Sequence, residues 1–186
     1  MRMVILGPPG AGKGTQAARI AAHYGIPSIS TGDIFRSNIR NETELGSQVK
    51  DILASGGYVP DEVTNAIVAD RLREADCQPG FLLDGYPRTT AQVAALDAVL
   101  AEDECPLQSV LELTVDEDAI VQRLLRRAEV EGRADDTEDV IRERLAIYRR
   151  ETAPLATLYA DRGLLVQVDG MGEVDDVTSR VVAALG

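Results

Sequence analysis

The chain has 186 residues, of which 45% are hydrophobic and 27% charged, as expected for one globular domain with a substantial core. Its formal net charge of −12 argues against nucleic acid or an anionic membrane as a partner, because both bind basic surfaces. Cys77 and Cys105 form no Cys-x-x-Cys pair, which favours incidental thiols in a cytoplasmic protein over a zinc site. No apolar run approaches ~20 residues and no leader precedes the first strand, so neither a membrane span nor a signal peptide is expected.

The first predicted element is a buried strand, Met3-Val4-Ile5-Leu6. A glycine-rich loop follows, Gly7-Pro8-Pro9-Gly10-Ala11-Gly12-Lys13-Gly14-Thr15, and a helix is predicted over residues 16–24. Glycines let backbone N–H groups approach an anion, and the helix N-terminus adds partial positive charge. The spacing G-x-x-x-x-G-K therefore predicts a phosphate-binding loop. A βα turn without a ligand is the alternative, but it would need neither four glycines nor the lysine.

Residues 30–59 form a small helical excursion between two elements of the sheet. A short strand over 26–29 precedes it, and Ser30-Thr31-Gly32-Asp33 offers a helix cap. Two short helices are predicted, followed by Gly56-Gly57 and an extended stretch. The glycines at its boundary suit hinge motion.

The rest of the chain continues to alternate helices and strands. Helices are expected over 61–74, from 89 or 90 to 100, over 117–127, from 136 or 137 to 159 with a kink at Pro154, and over 173–185. Strands are expected over 81–84, 109–115 and 164–168, and residues 129–136 are predicted to be a loop. Five strands separated by helices predict a three-layer α/β/α fold with a parallel sheet. In such a sheet ligands bind beyond the carboxyl ends of the strands.

Four charged residues stand out from their surroundings. Asp84 ends an apolar strand, where burying a carboxylate costs free energy. A carboxylate at this place commonly binds magnesium or its water shell, and a role as a turn or helix-cap residue is the alternative. Arg123 and Arg127 are four residues apart on one helix face, so their like charges repel each other. Neither has an acidic residue four positions before it, so the repulsion is relieved either by an anionic ligand or by solvation alone. Arg144 belongs to the inward face of its helix, unlike Arg142, and an arginine there indicates an anionic ligand.

Further motifs complete the pattern that the loop begins. They are Ser30-Thr31-Gly32-Asp33 with Arg36, Leu83-Asp84-Gly85-Tyr86-Pro87-Arg88-Thr89, Arg133-Ala134-Asp135-Asp136 and Thr152-Ala153-Pro154-Leu155. In this order they resemble the adenylate kinase family of nucleoside monophosphate kinases over essentially the whole chain. The family's pattern includes Gly14-Thr15, so magnesium would be held mainly by phosphates and water.

The resemblance implies a single P-loop kinase domain. Its core would be 1–29, 60–125 and 137–186, its monophosphate-binding segment 30–59 and its lid 126–136. The longer lid hairpin of many bacterial relatives, sometimes with four zinc-binding cysteines, is absent, so no zinc is expected. Both mobile segments should close over the nucleotides, because transfer to water must be prevented.

The resemblance also implies roles for individual residues. The residues expected to bind ATP are Gly10, Ala11, Gly12, Lys13, Gly14, Thr15, Arg123, Arg127 and Gly172. Those expected to bind AMP are Thr31, Arg36, Gly57, Tyr58, Val59, Gly85, Tyr86, Pro87, Arg88, Gln92, Arg133 and Arg144. Those expected to act in catalysis are Lys13, Asp84, Arg88, Arg123, Arg127, Arg133 and Arg144, with Asp84 reaching Mg²⁺ through water and no metal ligated directly by the protein.

The implied activity is reversible, Mg²⁺-dependent transfer of a phosphoryl group from ATP to AMP, which gives two ADP. This chemistry needs positioned cations and no general base, because the attacking AMP phosphate is already anionic. A cytoplasmic monomer with ATP, AMP and ADP as its partners is expected. A UMP/CMP kinase and a non-catalytic nucleotide-binding regulator stay open, although Thr31 and Gln92 favour AMP as the acceptor.

Overall fold

A parallel sheet of five strands organises the chain, and the computed structural model describes residues 1–102, 104–131 and 137–186. The strands are β1 (Arg2–Leu6), β2 (Ser28–Ser30), β3 (Phe81–Asp84), β4 (Ser109–Thr114) and β5 (Leu165–Asp169). Their spatial order is β2-β3-β1-β4-β5, and every pairing is parallel. The predicted α/β fold class is confirmed.

Helices cover both faces of the sheet. They are α1 (Lys13–Tyr24), α2 (Thr31–Arg40), α3 (Glu44–Ala54), α4 (Asp61–Leu72), α5 (Thr90–Glu102), α6 (Glu117–Glu131), α7 (Glu138–Ile147), α8 (Pro154–Asp161) and α9 (Val174–Leu185). Met3 and Ile5 of β1 belong to a core cluster with α1 and α9. Val4 and Leu6 belong to the opposite cluster, with α4, α5 and α8. Because β1 is apolar on both faces, it lies in the middle of the sheet, and the loop that follows it is held at the centre of the site edge.

The excursion over residues 30–59 has a small core of its own. Phe35, Val49 and Val59 are buried together, apart from the two clusters of the sheet. The Thr43 side chain caps α3 by accepting from the Gly46 N–H at 3.0 Å. Val63 and Ile67 of α4 also pack against this cluster, and the bounds of the segment stay a prediction.

One prediction for the later part of the chain was wrong, and a second is made more specific by the structure. Residues 129–131 continue α6 instead of forming a loop. Two of the three are glutamates, which are good helix formers, and Val130 between them is 77% exposed. The long helix predicted from 136 or 137 to 159 has Thr137 as its N-cap residue, and a π-helical turn, Tyr148–Thr152, interrupts it just before the predicted kink at Pro154. There the Ala153 N–H donates to Tyr148 O at 2.8 Å, and Pro154, which has no N–H, begins α8. Residues 132–136 lie outside the described residues.

Candidate functional site

The strands end along one edge of the sheet, and a cleft with two lobes lies there. The loop lobe is bordered by the glycine-rich loop, Asp84, the α6 arginines and the turn after β5. The segment lobe is bordered by residues of the 30–59 excursion, the turn after β3 and the α7–α8 junction. Both lobes share the same cationic side chains, Lys13, Arg36, Arg88 and Arg144. Two anionic groups, one from each lobe, would therefore meet at these cations.

The start of α1 forms the floor of the loop lobe. Gly10 has φ +81°, and a Cβ there would lie 2.9 Å from Leu124 Cγ, so a side chain would disturb the path of the loop. The N-cap residue Gly12 makes no side-chain cap, and the first turn of α1 carries no acid. The first N–H groups of α1 therefore suit an anion, as the sequence pattern predicts.

Lys13 lies at the point where the two lobes join. Its ammonium donates to Gly7 O at 2.7 Å and to Pro8 O at 2.9 Å. Burial lowers the pKa of Lys13 to about 8; Asp84 opposes this shift, and Arg88 is among the cations that add to it. An ammonium destabilised in this way gains from an incoming anion.

Asp84 is buried beneath the loop at the end of β3. Burial raises the pKa of its carboxyl group, and the charges of Lys13 and Arg88 act in the opposite direction. A Cβ at Gly14 would lie 3.6 Å from Asp84 Oδ2, so this carboxylate faces the part of the loop that has no hydroxyl. Mg²⁺ commonly keeps several waters and takes one or two carboxylates plus phosphates, and one buried carboxylate beside a phosphate loop fits that need. Among the described residues no cluster of three or more His, Cys, Asp or Glu could form an all-protein metal site.

The far wall of the loop lobe comes from α6 and from the turn after β5. Arg123 donates to Gly170 O at 3.3 and 3.4 Å, and both Arg123 and Gly172 border this lobe. Arg127 also borders this lobe and is close enough to lower the pKa of Lys13. The turn itself is held by Asp169, which accepts from the Met171 N–H at 2.9 Å.

The segment lobe contains the remaining predicted arginines that the structure describes. Arg36 pairs with Asp33 at 2.6 Å, and the half-buried Arg144 lies on the inner side of α7. Arg142, by contrast, is exposed and pairs with Glu138 at 2.6 Å. The contrast between the two α7 arginines agrees with the sequence pattern.

A chain of contacts joins the 30–59 excursion to the core at this lobe. The Arg88 guanidinium lies 4.9 Å from the centre of the Tyr58 ring and donates to Gly85 O at 2.8 Å. The Tyr58 hydroxyl contacts Thr152 Oγ1 at 2.9 Å, and Thr152 in turn donates to Arg88 O at 2.8 Å. The π-helical turn thus places Thr152 between the two sides of the cleft.

Thr31 and Gln92, the residues expected beside the acceptor base, are almost fully buried and border the segment lobe. Thr31 donates to Gly85 O at 2.9 Å. Gln92 accepts from the Arg88 N–H through Oε1 and donates to Asp61 Oδ1 through Nε2, both at 2.7 Å. Asp61 was not among the site residues expected from the sequence.

All nine residues expected to bind ATP border the loop lobe. The described residues expected to bind AMP border the segment lobe, with Tyr86 as the exception. Tyr86 is 2% exposed, packs in the core, and donates through its hydroxyl to Asn65 Oδ1 at 2.8 Å. Its side chain therefore supports the turn after β3 from behind and does not reach the cleft. Arg133 lies outside the described residues.

The sequence of the chain is similar to those of known proteins. Residues 5–164 match the family model described as adenylate kinase. The chain belongs to the adenylate kinase family. Proteins named adenylate kinase from Clavibacter michiganensis and Kocuria rhizophila are 59% and 58% identical to it, each over 184 residues. Those matches cover 99% of this chain and 92% and 98% of the two relatives. An adenylate kinase from Bifidobacterium longum is 51% identical over 185 residues and matches over the full length of both chains.

Several residues that border the two lobes were missed from the sequence. Gln16 is buried, and its Nε2 donates to Val174 O at 3.0 Å, which fixes α9 against α1 beside the loop lobe. Phe35, Tyr148 and Thr152 border the segment lobe. Only the T-x-x-Q spacing of Thr89 and Gln92, a capping-box pattern, could have indicated the buried network around Gln92.

Among the described residues no helix is long and apolar enough to cross a membrane.

Proposed function

We propose how the residues of this site divide the work of the adenylate kinase reaction, the reversible transfer of a phosphoryl group from ATP to AMP that gives two ADP. ATP occupies the loop lobe, with its phosphates on the first turn of α1 and its adenine between Arg123 and Gly172. AMP occupies the segment lobe, with its phosphate against Arg36 and Arg88. The observation that carries this proposal is the set of four cations shared by both lobes.

Catalysis in this arrangement depends on charge and position. Phosphoryl transfer spreads negative charge over the transferring group, and preorganised cations stabilise that charge. Lys13 changes its partners from Gly7 O and Pro8 O to the transferring phosphoryl group, while Arg88 and Arg144 hold the acceptor phosphate in line. Arg127 and Arg133 add positive charge for the phosphates from the side of the lid. No general base is required, because the attacking oxygen belongs to a phosphate anion.

Mg²⁺ fits the proposal as a partner of ATP. When bound, it supplies charge neutralisation and orientation of the phosphates. Asp84 would hold the hydrated ion through its water ligands, since its buried carboxylate faces the loop at Gly14. Burial raises the pKa of the Asp84 carboxyl group, and the charges of Lys13 and Arg88 oppose that rise.

The acceptor base is read by Thr31 and Gln92. After its contacts to Arg88 and Asp61, the Gln92 amide has one N–H and one lone pair left for a base. These match the N1 acceptor and the 6-amino donor of adenine. A base with another pattern leaves buried polar groups unpaired, which costs about 1–3 kcal/mol per group. AMP is thereby favoured over UMP, CMP and GMP.

One chain supplies both lobes, which supports a monomeric enzyme whose partners are ATP, AMP and ADP. Residues 30–59 act as the monophosphate-binding segment, supported by their separate core. Residues 126–136 act as the short lid. The cytoplasmic location, and the exclusion of nucleic acid and membranes as partners, stay predictions.

The activity is tested by mixing the purified protein with MgATP and each of AMP, UMP, CMP and GMP, and following diphosphate formation by chromatography. Two ADP should appear for each ATP consumed with AMP, and MgADP alone should give ATP and AMP. A protein that binds ATP but forms no diphosphate with any acceptor would be a nucleotide-binding regulator, and the proposal would be wrong.

A further inference from the structure

The contacts of Asp61 go beyond what opening a helix requires. Asp61 is the first residue of α4, where an acid is favourable in any case. Its Oδ1 accepts from Gln92 Nε2 at 2.7 Å, and its Oδ2 accepts from Thr89 Oγ1 at 2.9 Å. Both carboxylate oxygens are therefore used at the end of α5 that borders the segment lobe. The neighbouring Glu62 shares the first turn of α4 but is exposed.

The partners of the Gln92 amide determine which way it points. The backbone N–H of Arg88 can only donate, so it must face Oε1. The Asp61 carboxylate can only accept, so it must face Nε2. A rotation of the amide by 180° would set donor against donor and acceptor against acceptor. The order of donor and acceptor that Gln92 shows to the cleft is thus fixed before any base arrives.

We infer that Asp61 is a positioning residue for the acceptor base, and that it favours adenine over the corresponding 6-oxopurine by holding the Gln92 amide in one orientation. This inference rests on the proposed reading of the base by Gln92. Adenine offers a 6-amino donor and an N1 acceptor. Inosine monophosphate (IMP) instead carries a 6-oxygen, which accepts, and an N–H at N1, which donates. Its pattern of donor and acceptor is therefore reversed. With the amide fixed, IMP meets two mismatched contacts.

The alternative is that Asp61 serves only the start of α4 and the packing of α4 on α5. Asp61→Ala would then lower stability without changing the choice of acceptor. Three matched variants separate the two roles. Asp61→Asn keeps an oxygen for Gln92 Nε2 and an amide that can donate to Thr89 Oγ1. Asp61→Ser keeps a polar helix start but is too short to hold Gln92, and Glu62→Ala removes an acid from the same turn without touching the network.

The test measures KM and kcat for AMP and IMP at saturating MgATP, and KM for ATP at saturating AMP. Asp61→Ala and Asp61→Ser should each lower kcat/KM for AMP roughly tenfold, mainly through KM, because a buried hydrogen-bonding group loses its orientation. The ratio of kcat/KM for AMP to that for IMP should fall about fivefold or more. KM for ATP should change by less than about twofold in these two variants. For Asp61→Asn, kcat/KM for AMP should stay within about threefold of the parent value, and for Glu62→Ala within about twofold.

Gln92→Leu separates failure of this inference from failure of the proposed function. With Gln92→Leu in place, adding Asp61→Ala should lower kcat/KM for AMP by less than about twofold further, since the two residues act as one unit. If Gln92→Leu narrows the preference for AMP but Asp61→Ala and Asp61→Ser leave it unchanged, Asp61 is structural and the inference is wrong. If Gln92→Leu itself changes nothing, the proposed reading of the base is wrong. Should Asp61→Ala not fold, Asp61→Ser decides between the same outcomes.

Discussion

Raising the pH should weaken the binding of ATP to the free protein, because the Lys13 ammonium is already destabilised before ATP arrives. Burial lowers the pKa of Lys13 to about 8 from the ordinary value of 10.5. A group with this pKa is about ten-elevenths protonated at pH 7 and about one-eleventh protonated at pH 9. If only the ammonium form binds the phosphates, the affinity for MgATP falls about tenfold between these two pH values.

The same shift predicts uptake of protons on binding. The phosphates of ATP favour the ammonium and raise the pKa of Lys13 in the complex, so the protein takes up about half a proton per ATP at pH 8. Isothermal titration calorimetry in buffers of different ionisation enthalpy measures both the affinity and the proton count. Lys13→Met is the matched control, because it keeps the length of the side chain without a titrating group.

The expected result is that the parent takes up about half a proton more than Lys13→Met at pH 8, while the affinity of the variant is weak and nearly constant from pH 7.5 to 9.5. An affinity of the parent that stays constant to pH 9, with no excess proton uptake at pH 8, would refute the reasoning. The ammonium would then be as stable in the nucleotide-free site as in water.

Three further predictions concern catalysis, packing and motion. Lys13→Ala should lower kcat roughly 10³-fold with folding intact, by analogy with other cations that act on developing charge; a variant with a tenth of the normal rate would contradict this in a coupled ADP assay. Gly46→Ala should destabilise the 30–59 segment by about 1–3 kcal/mol, because the new Cβ would lie 2.2 Å from Asn38 O; thermal unfolding indistinguishable from that of the exposed control Gln48→Ala would contradict it. A bisubstrate analogue that joins two adenosines through phosphates should slow amide hydrogen exchange in residues 30–59, and unchanged exchange there would argue against closure of this segment.

Much of the fold could be predicted from the sequence because local signals agreed with the global arrangement. The apolar run before the glycine loop, the alternation of strands and helices and the position of Asp84 all pointed to one edge of a parallel sheet. The order of the strands in the sheet could not be predicted, since an apolar run does not indicate which other strands it pairs with. The continuation of α6 through residues 129–131 was missed because a helix that leaves the core carries no apolar periodicity.

The site could be predicted as far as its motifs reached. Glycine spacing and the placement of arginines indicated both lobes. The directions of the Tyr86 and Asp61 side chains, however, depend on tertiary contacts. Tyr86 lies within the motif of the turn after β3, yet its ring packs into the core. Asp61 looks like an ordinary helix start, and only the fold brings its carboxylate to Gln92, 31 positions away.

The measurement that tests the central claim most directly is the specificity for the acceptor, as kcat/KM for AMP, UMP, CMP and GMP at saturating MgATP. The account predicts that AMP is preferred over the other three, and that Gln92→Leu narrows this preference while KM for ATP stays nearly unchanged. Comparable kcat/KM values for UMP or CMP in the unmodified protein would contradict it, because the buried Thr31 and Gln92 would then not be reading adenine.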